Sequence, residues 1–401
     1  MILRAVIGKN FGDEGKGLAV DHFAGKAVKN GRSCLVIRHN GGAQAGHTVE
    51  THSGRFIFHQ LSAGSFAGAD TLWSETYLPD LYKIDSELGE FSNLSGRKIR
   101  ILADAGCRCT CIDDILLNMV IETTRGSSRH GSCGMGINEC MQRSEYEPLF
   151  LGEVKGMTAA SLYAKLKGIR NNYLPYRLKK LGLELDKAGE YGELLSDDNV
   201  LMNTAAQMCR NAELVDIYTP DMLQNYDELI FEGAQGLLLD SEYKPFAPHL
   251  TNSRTGSYNP SEFYKKNSFS DELELVYITR TYVTRHGNGP LPYAGELDPE
   301  IYHIKDKTNI PNDWQGTLRF APHGSTKKFL SAMTYDTKNV KNIPHSLSLM
   351  ITHINETRGE MCCHGGNRDI DEFTSVLMKQ KIFSTIYRSA SPFGEPMDIQ
   401  Q

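Results

Sequence analysis

The sequence has no excess of positive charge and no long apolar run. Its 401 residues include 43 Lys and Arg against 49 Asp and Glu, a formal net charge of −6. A domain that binds nucleic acid usually carries a basic footprint, so we expect no nucleic-acid partner. No stretch of eighteen consecutive apolar residues occurs. We therefore expect no membrane-spanning helix and no membrane partner.

A secretory leader and a disulfide framework are also missing from the sequence. Met1 is followed at once by an apolar run typical of a strand, not by the regions of a signal peptide. The nine cysteines are an odd number without small-scaffold spacing, so we expect reduced thiols and a cytoplasmic location. On a strand, Cys107, Cys109 and Cys111 would share one face. No second ligand pair at zinc-like spacing lies nearby, which favours structural thiols over a metal site.

The first fifty residues carry the clearest pattern in the sequence. An apolar run over 2–7 predicts a strand, a glycine-rich loop over 8–17 follows, and apolar residues at helical spacing come next. A second apolar run over 34–37 predicts a parallel strand ending in a small-residue loop over 40–48. Because ligands bind at the carboxyl ends of parallel strands, we expect the two loops to emerge from neighbouring strands and form a site.

The first loop has the composition of a phosphate-binding loop. Its four glycines allow backbone N–H groups to approach an anion, the following helix presents its positive end, and Lys16 adds charge. It is not a Walker A motif, because Asn10 stands in place of the first Gly and Gly17 in place of Ser or Thr. Asp13 would repel phosphate unless it holds a metal ion or takes a proton. The second loop supplies His47 as an acid or electrostatic partner.

Several segments together resemble the adenylosuccinate synthetase family. They are Gly12-Asp13-Glu14-Gly15-Lys16-Gly17, Ala45-Gly46-His47-Thr48, Glu232-Gly233-Ala234-Gln235-Gly236 and Thr284-Arg285-His286-Gly287-Asn288-Gly289-Pro290-Leu291-Pro292. The last resembles the family's Thr-Arg-Val-Gly-Ala-Gly-Pro-Phe-Pro. The resemblance covers most of the chain. It implies an α/β fold with a large, mainly parallel sheet flanked by helices, with helical and loop insertions, in a single domain over 1–401.

The resemblance also implies an activity. A ligase of this kind joins aspartate to the 6-position of a purine monophosphate, IMP being favoured, through a 6-phosphoryl intermediate. It requires Mg²⁺ and uses GTP or ATP as phosphoryl donor, and a homodimer is expected. Asp13 would take the N1 proton and ligate Mg²⁺ together with Gly46. His47 would stabilise charge on the 6-oxygen and the phosphoryl group, and Lys16 would neutralise phosphate.

Two sets of binding residues follow from the resemblance. Those expected to hold the purine monophosphate and aspartate are Gln44, Ser132, Cys133, Arg143, Gln235, Thr251, Thr317 and Arg319. Those expected to hold the triphosphate are Gly12, Glu14, Gly15, Lys16, Gly17, His353, Asn355, Ser389 and Ser391. Arg143 matches an arginine with which the family reaches the neighbouring subunit's nucleotide, and a solvated arginine is the alternative.

Several departures from the family pattern, among them Ser389-Ala390-Ser391-Pro392 in place of Ser-x-Gly-Pro, leave the substrates open. Gln44 stands where Asn is usual, and Ser132 and Cys133 replace threonines. Arg319 is the one arginine left in a loop that should bind both carboxylates of aspartate. Asn355 replaces the Asp that reads guanine. An Asn amide pairs with one donor and one acceptor, as on adenine, which favours ATP or dATP.

Other interpretations remain. If the alignment is shifted slightly, Glu356 supplies the carboxylate and GTP is preferred. A phage-type branch of the family acts on dGMP with ATP to make a 2-amino product. A nucleotide-binding sensor without catalysis is a further alternative, against which both Asp13 and His47 argue. A dinucleotide dehydrogenase is disfavoured, because 8–17 lacks Gly-x-Gly-x-x-Gly spacing.

Overall fold

The computed structural model describes residues 1–52, 54–125, 134–302, 304, 317–394 and 397–400. Sixteen strands occur in these residues. In chain order they are β1 (Ile2–Gly8), β2 (Cys34–Arg38), β3 (His47–Thr51), β4 (Gly54–Phe58), β5 (Asp70–Trp73), β6 (Ile101–Ala103), β7 (Asp216–Ile217), β8 (Glu228–Gly236), β9 (Leu273–Arg280), β10 (Val283–Arg285), β11 (Arg319–Ala321), β12 (His345–Thr352), β13 (Glu360–Met361), β14 (Arg368–Asp369), β15 (Thr385–Arg388) and β16 (Asp398–Gln400).

Eleven α-helices lie in the same described ranges. They are α1 (Lys16–Lys29), α2 (Ile84–Ser95), α3 (Ile112–Arg125), α4 (Ile137–Ser144), α5 (Leu151–Lys155), α6 (Ala159–Leu181), α7 (Glu190–Ser196), α8 (Asp198–Ala212), α9 (Tyr258–Lys266), α10 (Thr326–Asp336) and α11 (Ile370–Lys379). None of the helices in the described residues is long and apolar enough to cross a membrane.

Ten strands form one sheet in the order β16-β15-β12-β9-β1-β8-β2-β5-β6-β7. Every pair is parallel except β15 with β16, which is antiparallel. Apolar side chains of β1 alternate between two buried clusters, with Val6 in one and Leu3, Ala5 and Ile7 in the other. Strands buried on both faces read as nearly continuous apolar runs, which is why the sequence pattern located them.

The expectation that β1 and β2 are neighbours is wrong, because β8 lies between them. Phe231 of β8 pairs with Ala5 of β1 on one side and with Ile37 of β2 on the other. The crossover through α1 therefore leaves a space one strand wide, which a much later segment fills. This order brings the end of β8 directly between the two loops.

The three clustered cysteines lie in a loop outside the regular strands. Cys107, Cys109 and Cys111 are all buried in one apolar cluster, and Cys140 is buried beside them, with its Sγ 3.6 Å from the Cys109 carbonyl oxygen. Burial raises the pKa of each of these thiols. Such thiols are poor nucleophiles and poor metal ligands.

Candidate active site

The first loop is shaped by close contacts to the end of β8. Gly12 and Gly15 adopt φ of 128° and 94°, a backbone region that favours glycine. A Cβ on Gly12 would lie 2.8 Å from Gln235 Cα. At the start of α1, a Cβ on Gly17 would lie 2.7 Å from the Thr48 carbonyl oxygen. Glycine spacing thus brings the first loop against both β8 and the end of the second loop.

Glu14 holds the first loop together from inside. Its buried carboxylate accepts hydrogen bonds from the Asn10 N–H at 2.8 Å and from Asn10 Nδ2 at 2.6 Å. Burial raises the pKa of Glu14, against the opposing effect of Lys16. Lys16 is also buried, and its ammonium donates to the Gly12 carbonyl oxygen. Glu14 therefore stabilises the conformation of the first loop in this structure, and the Lys16 side chain lies beneath that loop.

Asp13 lies at the open side of the loop. Its side chain is 38% exposed. Its carbonyl oxygen accepts hydrogen bonds from Arg280 Nε at 2.5 Å and Thr284 Oγ1 at 3.2 Å. The backbone of Asp13 is thereby fixed to β9 and β10, while its carboxylate stays accessible to a ligand.

His47 is paired with a carboxylate that the sequence analysis did not single out. His47 Nδ1 lies 2.5 Å from Glu232 Oε1, and both side chains are buried. Glu232 also accepts a hydrogen bond from the Ala63 N–H at 3.2 Å and lies 3.9 Å from Arg38 Nε. The signal that could have found Glu232 is its position as the first residue of the Glu-Gly-Ala-Gln-Gly segment.

The pair has a defined protonation pattern. Burial alone would raise the pKa of Glu232, but Arg38 and His47 outweigh burial and lower it. Burial lowers the pKa of His47 to about 4, although Glu232 opposes the change. Glu232 is therefore ionised and neutral His47 donates its Nδ1–H to it. This leaves His47 Nε2 for a ligand.

Two amides at the end of β8 and in the second loop are left with buried oxygens that have no partner. The oxygens are Oε1 of Gln235 and Oε1 of Gln44, neither of which has a hydrogen bond from the described residues. Gln235 adopts a φ of 64°, which is uncommon for a residue other than glycine. Asn40 bridges the same two segments through the N–H and C=O of Ala234. Buried acceptors without donors mark a site that a ligand would complete.

Other predicted residues lie at neighbouring positions. Thr251 lies in the chain segment after β8, and its N–H donates to the Leu239 carbonyl oxygen. Gly46 directly precedes β3, with Ile57 Cγ2 only 2.9 Å from where its Cβ would stand. Ser132 and Cys133 lie outside the described residues.

The loops after β12 and β15 meet the first loop from the opposite side. Thr352 Oγ1 donates to the Glu14 carbonyl oxygen at 2.8 Å, and the adjacent His353 adopts a φ of 60°. The Ile354 N–H donates to the Ser389 carbonyl oxygen, and Ser389 Oγ donates to the Ser391 carbonyl oxygen. The structure therefore brings together the two loops predicted to bind the triphosphate base.

Asn355 and its neighbour Glu356 differ in their surroundings. Asn355 is exposed, whereas the Glu356 carboxylate accepts a hydrogen bond from the Tyr282 hydroxyl. The Tyr282 hydroxyl in turn accepts from Arg280 Nη1 at 3.0 Å. Glu356 is thus part of a series of hydrogen-bonded side chains, with Tyr282 and Arg280, beside the site.

Arg285 and Arg319 lie opposite each other in the antiparallel pair of β10 and β11, and neither forms an ion pair with a carboxylate of the described residues. Arg319 donates to the Gly287 carbonyl oxygen at 2.6 Å, and Arg285 donates to the Pro290 carbonyl oxygen at 2.7 Å. Burial, together with the charge of Arg319, lowers the pKa of Arg285 to about 10. To bind an anion with more than one carboxylate, the buried Arg285 would have to release the carbonyl oxygens that it binds, whereas Arg319 is partly exposed. Thr317 lies exposed just before β11.

Arg143 points inward in this structure. Its guanidinium donates to both carboxylate oxygens of Asp114 and to the Cys109 carbonyl oxygen at 2.8 Å. The side chains of Arg143 and Asp114 are only 1% and 2% exposed. A nucleotide-binding role for Arg143 would require these bonds to open.

The fold and the site together define an α/β protein with a candidate site at the carboxyl edge of a mainly parallel sheet. The glycine-rich first loop lies at this edge and carries an accessible carboxylate beside a buried histidine–glutamate pair. The chain belongs to the adenylosuccinate synthetase family, whose family model matches residues 5–311. The family and the α/β fold class expected from the sequence are thereby confirmed.

Individual relatives agree with this assignment. Adenylosuccinate synthetase of Pseudomonas paraeruginosa is 28% identical over 305 residues, which are 72% of this chain and 64% of the relative. That of Thermoplasma acidophilum is 25% identical over 302 residues, 74% of this chain and 65% of the relative. The chain therefore spans just under two thirds of the length of these curated relatives.

Two solved structures share the fold. A fully ligated adenylosuccinate synthetase from Plasmodium falciparum superposes with a TM-score of 0.70 at 16% identity, with all of both chains covered. Cyanophage S-2L succinoaminodeoxyadenylate synthetase, bound to dGMP and to dATP as an energy donor, gives 0.63 at 12% identity and covers 99% of this chain and 95% of the phage chain.

Proposed function

We propose that the chain is a purine nucleotide ligase that joins aspartate to the 6-position of a purine monophosphate, with IMP as the favoured substrate. The observation that carries the proposal is the arrangement around the end of β8. There, the accessible Asp13 carboxylate and the buried His47–Glu232 pair flank a loop of backbone N–H groups. This combination suits phosphoryl transfer to an oxygen that must first lose a proton from its ring.

Each of these residues has a role in the proposed reaction. Asp13 accepts the N1 proton, so that the 6-oxygen attacks the γ-phosphorus and releases the nucleoside diphosphate. His47 Nε2 faces the charge that develops on the transferred group, and Glu232 holds its ring through Nδ1. The amine of aspartate then displaces phosphate from carbon 6, and inorganic phosphate leaves with the former 6-oxygen. Lys16 and the loop N–H groups offset phosphate charge.

The donor groups fit Mg²⁺, which family members require. A carboxylate oxygen of Asp13 and the carbonyl oxygen of Gly46 are hard ligands, and Mg²⁺ usually takes few protein ligands and completes its shell with phosphate and water. When bound, the ion would neutralise charge on the triphosphate. We propose these two residues as its protein ligands.

The same geometry supports proposals for the remaining substrate groups. The free Oε1 atoms of Gln44 and Gln235 support their proposed contacts to the purine monophosphate, together with Thr251. The Arg285–Arg319 pair supports an amine donor with two carboxylates, such as aspartate, and Thr317 is proposed to assist. A homodimer is proposed for the assembly.

For the triphosphate we propose ATP or dATP. Asn355 is exposed and available, whereas Glu356, the alternative carboxylate, is bonded to Tyr282. Against guanine, Asn355 would leave one donor unpaired, at a cost of roughly 1–3 kcal/mol or about ten- to a hundredfold in affinity. The same residue favours a second candidate reaction, in which dGMP replaces IMP and ATP is the donor.

A phosphate-release screen tests these assignments. IMP, GMP and dGMP are each combined with GTP or ATP, in the presence and absence of aspartate, and the product is identified by mass spectrometry. Aspartate-dependent phosphate release with IMP supports the first candidate. Aspartate-dependent release with dGMP, and not with IMP, supports the second. If no monophosphate supports aspartate-dependent release, the ligase assignment fails.

Wild type and Asn355→Asp are compared with both triphosphates, and a tenfold preference of wild type for GTP would contradict the role of Asn355.

A further inference from the structure

The segment from the end of β9 to the residue after β10 contacts Asp13 at three positions. Arg280 at the end of β9 and Thr284 in β10 both donate to the Asp13 carbonyl oxygen. His286 follows β10 immediately, and its Nε2 lies 3.3 Å from Asp13 Oδ2. The backbone and the carboxylate of Asp13 are thus held from the same short segment.

The ring of His286 has one nitrogen that reaches a partner. Nδ1 is buried and has no hydrogen bond from the described residues. The side chain as a whole is 20% exposed, against 38% for Asp13. A neutral imidazole with its proton on Nε2 can donate to Asp13 Oδ2 without any change of charge. Such contacts are often long in unliganded sites and shorten in the reacting complex.

The next residue connects this contact to the opposite side of the site. The Gly287 carbonyl oxygen accepts the 2.6 Å hydrogen bond from Arg319 Nη2, and Gly287 adopts a φ of 65°. His286 and Gly287 therefore lie between the carboxylate that takes the proton and the guanidinium that faces the amine donor.

We infer, on the basis of the proposed function, that His286 is a positioning residue for Asp13. It holds Oδ2 by a hydrogen bond from Nε2, which leaves Oδ1 directed to the purine ring or the metal ion. The carboxylate then keeps one orientation through proton transfer. An accessible carboxylate without this contact would rotate among several orientations, of which a fraction is productive.

Three variants test the role of the contact. His286→Val removes the donor, and His286→Gln retains an amide N–H near the position of Nε2. His345→Val is the matched control, because His345 lies at the amino-terminal end of β12. For each chain, the kcat and the KM for the monophosphate, triphosphate and aspartate are measured, together with the melting temperature.

We expect His286→Val to lower kcat about tenfold while each KM stays within about twofold, since a misplaced group costs mainly in the reacting complex. His286→Gln should recover at least about a third of the wild-type kcat, and His345→Val should match wild type. A kcat of His286→Val within twofold of wild type would overturn the assignment. So would equal losses in the Gln and Val variants, or a loss accompanied by a fall of several degrees in melting temperature.

Hydrogen–deuterium exchange of the first loop separates this inference from the proposed function. It is measured on the chain without substrates, so it does not depend on turnover. Faster exchange over 9–17 in His286→Val, with wild-type exchange in His286→Gln, supports the contact even if the phosphate-release screen finds no substrate. Unchanged exchange in the valine variant, with full activity, removes the role of His286 and leaves the ligase assignment intact.

Discussion

His47 is the side chain of the candidate site that a second buried residue holds in place. His47 is fixed by ionised Glu232, with both groups buried, whereas Asp13 lies on the accessible side of the phosphate loop. A buried neutral histidine with one nitrogen already bonded has a single direction in which to act. The buried carboxylate thus defines the tautomer and the ring orientation of His47.

We expect Asp13→Ala and His47→Ala each to lower turnover at least about a hundredfold, which is the range of general acid–base catalysis. Single-turnover phosphate release with saturating nucleotides measures the effect. Asp186→Ala, at an exposed position, serves as control and should retain wild-type turnover. Nearly normal turnover in either active-site variant would contradict the proposed mechanism.

The phosphate loop and β8 are fitted to each other at the backbone. A Cβ on Gly236 would lie 2.4 Å from the Asn10 carbonyl oxygen and 2.9 Å from the Gly12 nitrogen. Because both neighbours are main-chain atoms, neither can rotate away. The glycines at the end of β8 therefore set how closely the loop approaches Gln235.

Gly236→Ala should shift the loop, lower stability by roughly 1–3 kcal/mol, and raise the KM for both nucleotides. Gly25→Ala in α1 is the matched control, because no atom lies within 4 Å of its added Cβ. Alanine there should be neutral or stabilise the helix by up to about 1 kcal/mol. Urea unfolding and nucleotide titration measure both effects, and equal behaviour of the two variants would refute the fitted contact.

The helices α3 and α4 are joined by the buried Arg143–Asp114 pair. Removing one member of a buried pair typically costs about 3–5 kcal/mol, because the other charge is left alone. We therefore expect Arg143→Ala to destabilise the fold strongly. Arg100→Ala, which breaks an exposed pair with Asp216, should cost less than about 1 kcal/mol. An unchanged unfolding curve for Arg143→Ala, with a raised KM for the monophosphate, would instead support the predicted role at a neighbouring subunit's nucleotide.

The stability of the whole fold should depend on pH through Asp336. This buried carboxyl at the end of α10 accepts hydrogen bonds from the Ser257 N–H, the Tyr277 hydroxyl and Asn339 Nδ2. It therefore connects the helix to β9 and to the segment before α9. Burial raises its pKa from 3.8 to about 6, despite these donors.

Because the folded pKa lies above the unfolded value, the folded chain binds this proton more tightly, and stability falls as the pH rises from about 4 to 6. We expect the free energy of unfolding of wild type to fall by about 2 kcal/mol from pH 4.5 to 7, relative to Asp336→Asn. Urea unfolding of both chains at the two pH values measures the difference. Parallel pH profiles would show that Asp336 does not titrate in this range.

Features with local causes could be predicted from the sequence. The glycine-rich first loop, α1 and the strands β1, β2 and β8 follow from glycine spacing and apolar periodicity within short windows, and the positions of Asp13 in the first loop and of His47 at the end of the second follow with them. The helix extends over Lys16–Lys29, close to its apolar pattern, but Val28, which helical spacing places on the same face as Val20, is 41% exposed. These features depend on interactions between residues a few positions apart, which a single sequence contains.

The partners of those residues could not be predicted in the same way. Glu232 reaches His47 from 185 positions away because β8 enters the sheet between β1 and β2. The inward direction of Arg143 and the approach of His286 to Asp13 likewise follow from how distant segments pack. Strand order and burial depend on the free energy of the whole packed chain, and no short stretch of residues encodes them. The sequence therefore determined the candidate groups and the loops that carry them, and the packing decided which groups hold them in place.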